Sequence, residues 1–138
     1  MRLPNWPRLL SEFIAVRRKM PHAWGANDCL SFCADAGVAM GCADFLAPYR
    51  GYEDALEAGR RLEANGYDDI AEFLDATLPI IPLPDAGRGD IALIRNAGRD
   101  GLFAFSCGVF DGPFIFGPGE RKGLQLPRRV AVKAYRLD

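Results

Sequence analysis

The residue with the clearest capacity for chemistry is Cys29, which stands at the start of a predicted helix. The loop before it, residues 21–28 (PHAWGAND), ends in Asn27 and Asp28, and both residues are favourable helix N-caps. A thiol in the first turn of a helix lies at the positive end of the helix dipole, which favours the thiolate. The same position also suits an inert cysteine packed at a helix end, because free cysteine is among the most buried residue types.

A cysteine nucleophile needs a general base, and His22 is the only histidine in the chain. It lies two residues before Trp24, on the loop that leads to Cys29. Two interpretations of His22 follow: it is a base that reaches Cys29, or it is a loop residue held by one backbone hydrogen bond. Asp28 also has two interpretations, as a catalytic acid or as the helix N-cap, and its position favours the N-cap.

The four cysteines, at positions 29, 33, 42 and 107, predict neither a metal site nor a disulfide framework. Zinc sites usually show pairs of closely spaced ligands, and only one loose pair is present here. Cys29 and Cys33 lie four residues apart on one helix face, which is a poor arrangement for a disulfide bond. We expect no metal and no cofactor. A thiol redox role is the least favoured function, because no Cys-x-x-Cys motif occurs.

The composition is that of a single globular domain, residues 1–138, with 49% hydrophobic and 25% charged residues. The formal net charge of −1 predicts no broad basic surface for nucleic acid. No apolar run is long enough to span a membrane, and the N-terminal residues lack the apolar segment of a signal peptide. We therefore expect a protein made in the cytoplasm that neither binds nucleic acid nor inserts into a membrane.

Apolar spacing and capping residues predict that the first part of the chain, residues 6–78, is helical. Helices are expected over residues 6–19, 29–40 and 52–64, followed by a shorter helix that ends near residue 78. Gly41 and the Asn65-Gly66 pair are suited to end the second and third helices. Pro79, Pro82 and Pro84 then predict a segment without regular structure.

The last part of the chain, residues 89–137, predicts strands and turns. Apolar runs at 91–94, 102–110, 113–116, 124–126 and 129–137 indicate five strands, with a hairpin turn at Asp111-Gly112. Phenylalanines 103, 105, 110, 114 and 116 are predicted to be mostly core, and any that face outward would mark a protein interface. Helices followed by strands predict an α+β fold, with the helices packed on an antiparallel sheet of about five strands.

The spacing Trp24-Gly25-x-x-Asp28-Cys29 at a helix start, followed by Arg88-Gly89-Asp90-Ile91-Ala92-Leu93 and the Val109-Phe110-Asp111-Gly112 hairpin, resembles the NlpC-type cysteine peptidases. This resemblance implies a papain-like fold with Cys29 as the nucleophile and with Trp24 and Asp28 lining the cleft. The chain looks most similar to the branch encoded among phage and prophage tail genes. That likeness implies tail hub or tip proteins as partners, peptidoglycan as the substrate of an active form, and the virion tail as the location.

The chain departs from the family pattern at the residue that would activate the thiol. In these enzymes a histidine opens the second sheet strand, whereas the corresponding segment here, residues 102–108, reads LFAFSCG. His22 stands where related enzymes usually carry a cleft-lining tyrosine. Two functions stay open. One is a degenerate peptidase fold used as a structural or docking subunit of a tail tip, which the missing histidine favours. The other is an active stem-peptide hydrolase that uses Cys29 with His22 or a partner-supplied base.

Overall fold

Four helices precede a six-stranded sheet in this protein. A computed structural model describes all residues, 1–138. The helices are α1 (Trp6–Arg17), α2 (Cys29–Ala39), α3 (Ala55–Ala64) and α4 (Ile70–Thr77). The strands are β1 (Ile80–Ile81), β2 (Ile91–Arg95), β3 (Phe105–Asp111), β4 (Phe114–Gly117), β5 (Leu124–Pro127) and β6 (Ala131–Tyr135). The fold class is α+β, and none of the helices is long and apolar enough to cross a bilayer.

All strands form one antiparallel sheet in the order β1-β6-β2-β3-β4-β5. Strands β2 and β3 pair from Ile91 opposite Val109 to Arg95 opposite Phe105. Strands β3 and β4 form the predicted hairpin, whose loop begins at Gly112 with φ of 61°. Because glycine adopts a positive φ without steric cost, it is suited to this turn. The arrangement leaves β3 inside the sheet, between β2 and β4.

The sheet has one strand more than the predicted five. The additional strand, β1, lies within the proline-rich segment for which the sequence predicts no regular structure. Ile80 and Ile81 pair with Tyr135 and Ala134 at the edge of the sheet. Proline cannot donate a backbone hydrogen bond to a neighbouring strand. Prolines are therefore tolerated beside β1, because this short edge strand forms few hydrogen bonds with β6.

Two predicted strands are shorter in the structure than in the sequence pattern. Residues Gly101–Ala104 form a 3-10 helix, so that β3 begins only at Phe105. The Asn96 backbone N–H donates to the Ala104 carbonyl at 2.8 Å, and the Asn96 amide donates to the Phe103 carbonyl at 3.0 Å. These bonds close the turn before the strand. The last predicted strand is likewise shortened by a 3-10 helix at Arg128–Val130.

The main core lies between the helices and one face of the sheet. Helix α2 contributes most to it, because seven of its residues are buried, and it packs directly against β3. A smaller core covers the opposite face of the sheet around Phe110 and Ile115. Of the five phenylalanines singled out above, only Phe114 is exposed. The helix that carries Cys29 is therefore fixed by burial on nearly all sides.

The buried carboxylate of Asp90 joins the two ends of the chain. The Arg2 guanidinium donates to Asp90 at 2.9 Å and to the Leu137 carbonyl at 2.7 Å. Asp90 also accepts the backbone N–H groups of Gly87 at 2.9 Å and of Leu137 at 3.3 Å. Its side chain is only 4% exposed. Arg136 also lies 3.4 Å from Asp90, so the carboxylate serves two guanidinium groups. Because a buried charge is costly without partners, removal of Asp90 leaves the buried Arg2 guanidinium without its carboxylate.

The substitution Asp90→Ala is expected to lower the free energy of unfolding by about 3 kcal/mol, since it leaves Arg2 without its buried partner. Urea denaturation measures the change. The matched control is Glu12→Ala, which removes an exposed pair with Arg8 at 2.9 Å and should cost no more than about 0.5 kcal/mol. Equal effects of the two substitutions would contradict the role assigned to Asp90.

Candidate functional site

Asp28 fixes the position of Cys29 by capping helix α2. One carboxylate oxygen accepts the Ser31 backbone N–H at 3.0 Å, and the Ser31 hydroxyl accepts the Asp28 backbone N–H at 2.9 Å. This reciprocal pair is a capping box. The other carboxylate oxygen accepts the Gly25 N–H at 2.8 Å. Asp28 is thus the N-cap of the helix, and its carboxylate is held by structural hydrogen bonds.

Tyr52 completes the environment of Asp28 from the segment that precedes α3. Its hydroxyl lies 2.8 Å from each carboxylate oxygen of Asp28 and donates its proton there. Burial and the adjacent carboxylate raise the pKa of Tyr52 above its ordinary value, so that the hydroxyl stays protonated. Tyr52 also lies close to the loop backbone, because a Cβ atom at Gly25 would overlap the Tyr52 carbonyl oxygen. Gly25, with φ of 81°, is therefore required at this turn.

A cleft of about 220 Å³ opens beside Cys29, and the four residues singled out in the sequence all line it: His22, Trp24, Asp28 and Cys29. Ten of its sixteen lining residues are hydrophobic, which makes it a predominantly apolar site. Trp24 contacts the Phe103 ring edge-on at a centroid distance of 5.7 Å and is 37% exposed. The two aromatic rings therefore form one wall of the opening.

The neighbour of Cys29 on the sheet is another cysteine, Cys107 of strand β3, and the two residues line one small cavity of about 50 Å³. Neither an imidazole nor a carboxylate hydrogen-bonds the Cys29 sulfur, since Asp28 is directed to Ser31, Gly25 and Tyr52. The neighbouring thiol of Cys107 and burial raise the pKa of the Cys29 thiol well above its usual value. At neutral pH Cys29 is therefore a protonated thiol, which is the opposite of what its place at a helix N-terminus predicts.

His22 lies in the cleft but is not joined to Cys29. Its backbone N–H donates to the Gly119 carbonyl at 2.9 Å. Its ring packs edge-on against Trp24, at a centroid distance of 4.7 Å and an interplanar angle of 78°. These contacts are those of a loop residue, the second of the two interpretations derived from the sequence.

Ser106, near the start of β3, also lines the cleft. The Ser106 hydroxyl donates to the Asn96 side-chain oxygen at 3.2 Å. A hydroxyl paired with an amide has no group that titrates near neutral pH and so supplies no general base. The His, Cys, Asp and Glu side chains form no group arranged to hold a metal ion.

Sequence reasoning missed several residues of the site, namely Tyr52, Asn96, Arg99, Leu102, Ser106 and Cys107. One feature of the sequence could have pointed to Ser106 and Cys107. Both lie in residues 102–108, the segment that the sequence analysis compared with the histidine-bearing strand of the resembling peptidases. Tyr52 carried no local signal. Its contact with Asp28 joins residues 24 positions apart and depends on how the segment before α3 folds over the loop.

Replacement of two aspartate N-caps, Asp28 of α2 and Asp54 of α3, should separate the two roles of Asp28. Asp54→Ala removes the exposed N-cap of α3, which bonds the Glu57 N–H at 2.8 Å, and should cost about 1 kcal/mol. Asp28→Ala also leaves the buried Tyr52 hydroxyl without an acceptor, so its cost should be larger, about 3 kcal/mol. Chemical denaturation of both variants measures the difference, and equal losses would refute the buried role of Asp28.

Alkylation of Cys29 by iodoacetamide in the folded protein should be slow at neutral pH, since the raised pKa leaves little thiolate. The rate should increase only at pH values above the ordinary thiol pKa of 9.0. The variant His22→Ala should show the same pH profile, because the imidazole does not contact the sulfur. Fast alkylation at neutral pH that is lost in His22→Ala would show instead that His22 activates the thiol. Mass spectrometry of the Cys29 peptide provides the measurement.

One known protein family matches the chain almost from end to end. No curated protein matches the sequence. A family model described as "Domain of unknown function (DUF6950)" matches residues 1–137. The protein therefore belongs to the DUF6950 family.

Proposed function

We propose that this protein is a papain-like, NlpC-type domain without peptidase activity, which serves as a docking subunit in the tail tip of a phage or prophage. Two features support the proposal: the sequence of the Trp24–Cys29 loop resembles that of the NlpC-type peptidases, and the groups around the Cys29 sulfur do not include a base. One observation carries it: no imidazole or carboxylate hydrogen-bonds the Cys29 sulfur, whose neighbour on the sheet is the buried Cys107.

The proton transfers of amide hydrolysis have no route at this site. A cysteine peptidase needs a base to remove the thiol proton and an acid to protonate the leaving amine. The carboxylate of Asp28 is occupied by Tyr52 and two backbone amides. Ser106 and Asn96 are neutral at physiological pH and bond to each other. The sulfur therefore lacks both a proton acceptor and a proton donor for the reaction.

The cleft remains well formed although the proton acceptor is missing, and this supports a binding role. Its apolar lining and the exposed edge of Trp24 are typical of a pocket that receives a side chain or loop from another protein. The capping box and Tyr52 hold the surrounding loop in one conformation without a bound partner. A rigid pocket loses little conformational entropy when a partner binds. The resemblance to tail-associated proteins identifies hub or tip subunits as the partner class.

A second function has one observation in its favour, since His22 and Cys29 line the same cleft. In that case Cys29 would attack a peptidoglycan stem peptide, and backbone amides at the start of α2 would stabilise the oxyanion. His22 would act as the base only after its ring leaves the edge of Trp24. A partner subunit in the assembled tail could also supply the base.

A hydrolysis assay and a particle-incorporation assay together test the proposal. The purified protein should release no fragments from peptidoglycan stem peptides above the level of its Cys29→Ala variant. In particles of the producing phage, Trp24→Ala should lower incorporation of the subunit about tenfold or more, the effect of removing an interface hot spot. Quantitative mass spectrometry of purified particles gives the incorporated amount.

Leu56→Ala is the matched control, because Leu56 of α3 is 63% exposed and does not line the cleft. It should leave incorporation unchanged. Stem-peptide cleavage by the isolated wild-type protein that Cys29→Ala abolishes would establish the enzymatic alternative. Normal incorporation of Trp24→Ala would exclude the cleft as the docking surface.

A further inference from the structure

Three of the four cysteines meet beneath the cleft. Cys29 begins α2, Cys33 follows one turn later, and Cys107 lies on β3, the strand against which this helix packs. Cys33 and Cys107 are buried, with exposed fractions of 0% and 3%. Cys29 is half-buried and lines the cleft. It also shares the lining of a second cavity, of about 50 Å³, with Cys107. All of these thiols are free.

We propose that Cys29 and Cys107 are a redox-active pair that closes to a disulfide when a peroxide enters the cleft. The two residues line the same small cavity where α2 packs on β3, and of the two only Cys29 also lines the cleft. This modification site does not depend on whether the protein docks into a tail or hydrolyses a peptide, because it requires only the packing of α2 on β3.

The geometry selects Cys107 rather than Cys33 as the partner of Cys29. Cys29 and Cys33 lie on the same face of one helix, where their Cα–Cβ bonds point in similar directions and cannot converge as a disulfide needs. Cys107 approaches from the opposite element, because β3 presents it to the helix. A bond between Cys33 and Cys107 is disfavoured for a different reason. Neither sulfur faces the cleft by which an oxidant would enter.

The reaction with hydrogen peroxide proceeds in two balanced steps. The Cys29 sulfur gives up its proton and attacks one peroxide oxygen, the O–O bond breaks, and the released hydroxide takes up the proton as water. Cys29 is then a sulfenic acid. The Cys107 sulfur attacks the Cys29 sulfur, the S–O bond breaks, and hydroxide leaves with the Cys107 proton as a second water. Two thiols and one peroxide thus give one disulfide and two waters.

The first step should limit the rate, since Cys29 is held as a protonated thiol and only the thiolate attacks efficiently. The second step should be fast, because Cys107 is already in contact with the oxidised sulfur. The product would remove the Cys29 thiol from the cleft and fix the first turn of α2 to the middle of the sheet. A disulfide that closes so long a loop restricts the unfolded chain, so it should raise the melting temperature.

Peptide mapping after treatment of the native, full-length protein with hydrogen peroxide tests the proposal. The intact mass should fall by two hydrogen atoms, and a Cys29–Cys107 disulfide peptide should appear. Cys33 and Cys42 should remain thiols that are alkylated after unfolding. Dithiothreitol should reverse both the mass change and the increase in melting temperature.

Two variants give the controls. Cys107→Ser should stop disulfide formation and leave a Cys29 sulfenic acid that dimedone traps, whereas Cys42→Ser should behave like the wild type. A Cys29–Cys33 bond, only intermolecular dimers, irreversible oxidation of Cys29 with Cys107 still a thiol, or no oxidation at all would overturn the proposal. The wild-type peptide map alone decides among these outcomes if Cys107→Ser does not fold.

Discussion

The packing of α2 against β3 determines what Cys29 can do. The helix packs directly on β3, and it also lies close to the segment after β6, where a Cβ atom added to Gly37 would be only 3.1 Å from the Leu137 side chain. Its first turn is fixed by the capping box of Asp28 and Ser31. These contacts place Cys29 beside Cys107, with which it lines one small cavity. The thiol at the start of α2 therefore has a second cysteine, and not an imidazole or a carboxylate, as its neighbour on the sheet.

Two opposing effects act on the Cys29 thiol, and their magnitudes decide its protonation state. The helix dipole favours the thiolate by about 0.3–1 kcal/mol, which is less than one pKa unit. Burial of an unpaired anion can raise a pKa by several units, and here the thiol of Cys107 and the carboxylate of Asp28 act in the same direction as burial. No cation lies at the sulfur to reverse the balance. The site therefore retains the position of a nucleophile without its reactivity.

Local rules predicted those parts of the fold that depend on neighbouring residues. The Asp28 cap, the start of α2 at Cys29, the positive φ of Gly41 and the hairpin after Asp111 all follow from propensities within a few positions. The two-residue strand β1 escaped prediction because only its pairing with β6 makes it a strand. The Asp28–Tyr52 bond and the Cys29–Cys107 contact join segments that are distant in sequence. The sequence predicted a candidate nucleophile at Cys29. The groups that set its pKa could be identified only from the tertiary structure.

Titration of the Cys29 thiol in the folded protein tests this account most directly. The thiolate absorbance in the ultraviolet, taken as the difference between the wild type and Cys29→Ser, follows this one group over the pH range. The account predicts no Cys29 thiolate at neutral pH and a transition above the ordinary thiol pKa. A transition below that value would show that the site activates its cysteine and would contradict the proposal that the protein has no peptidase activity.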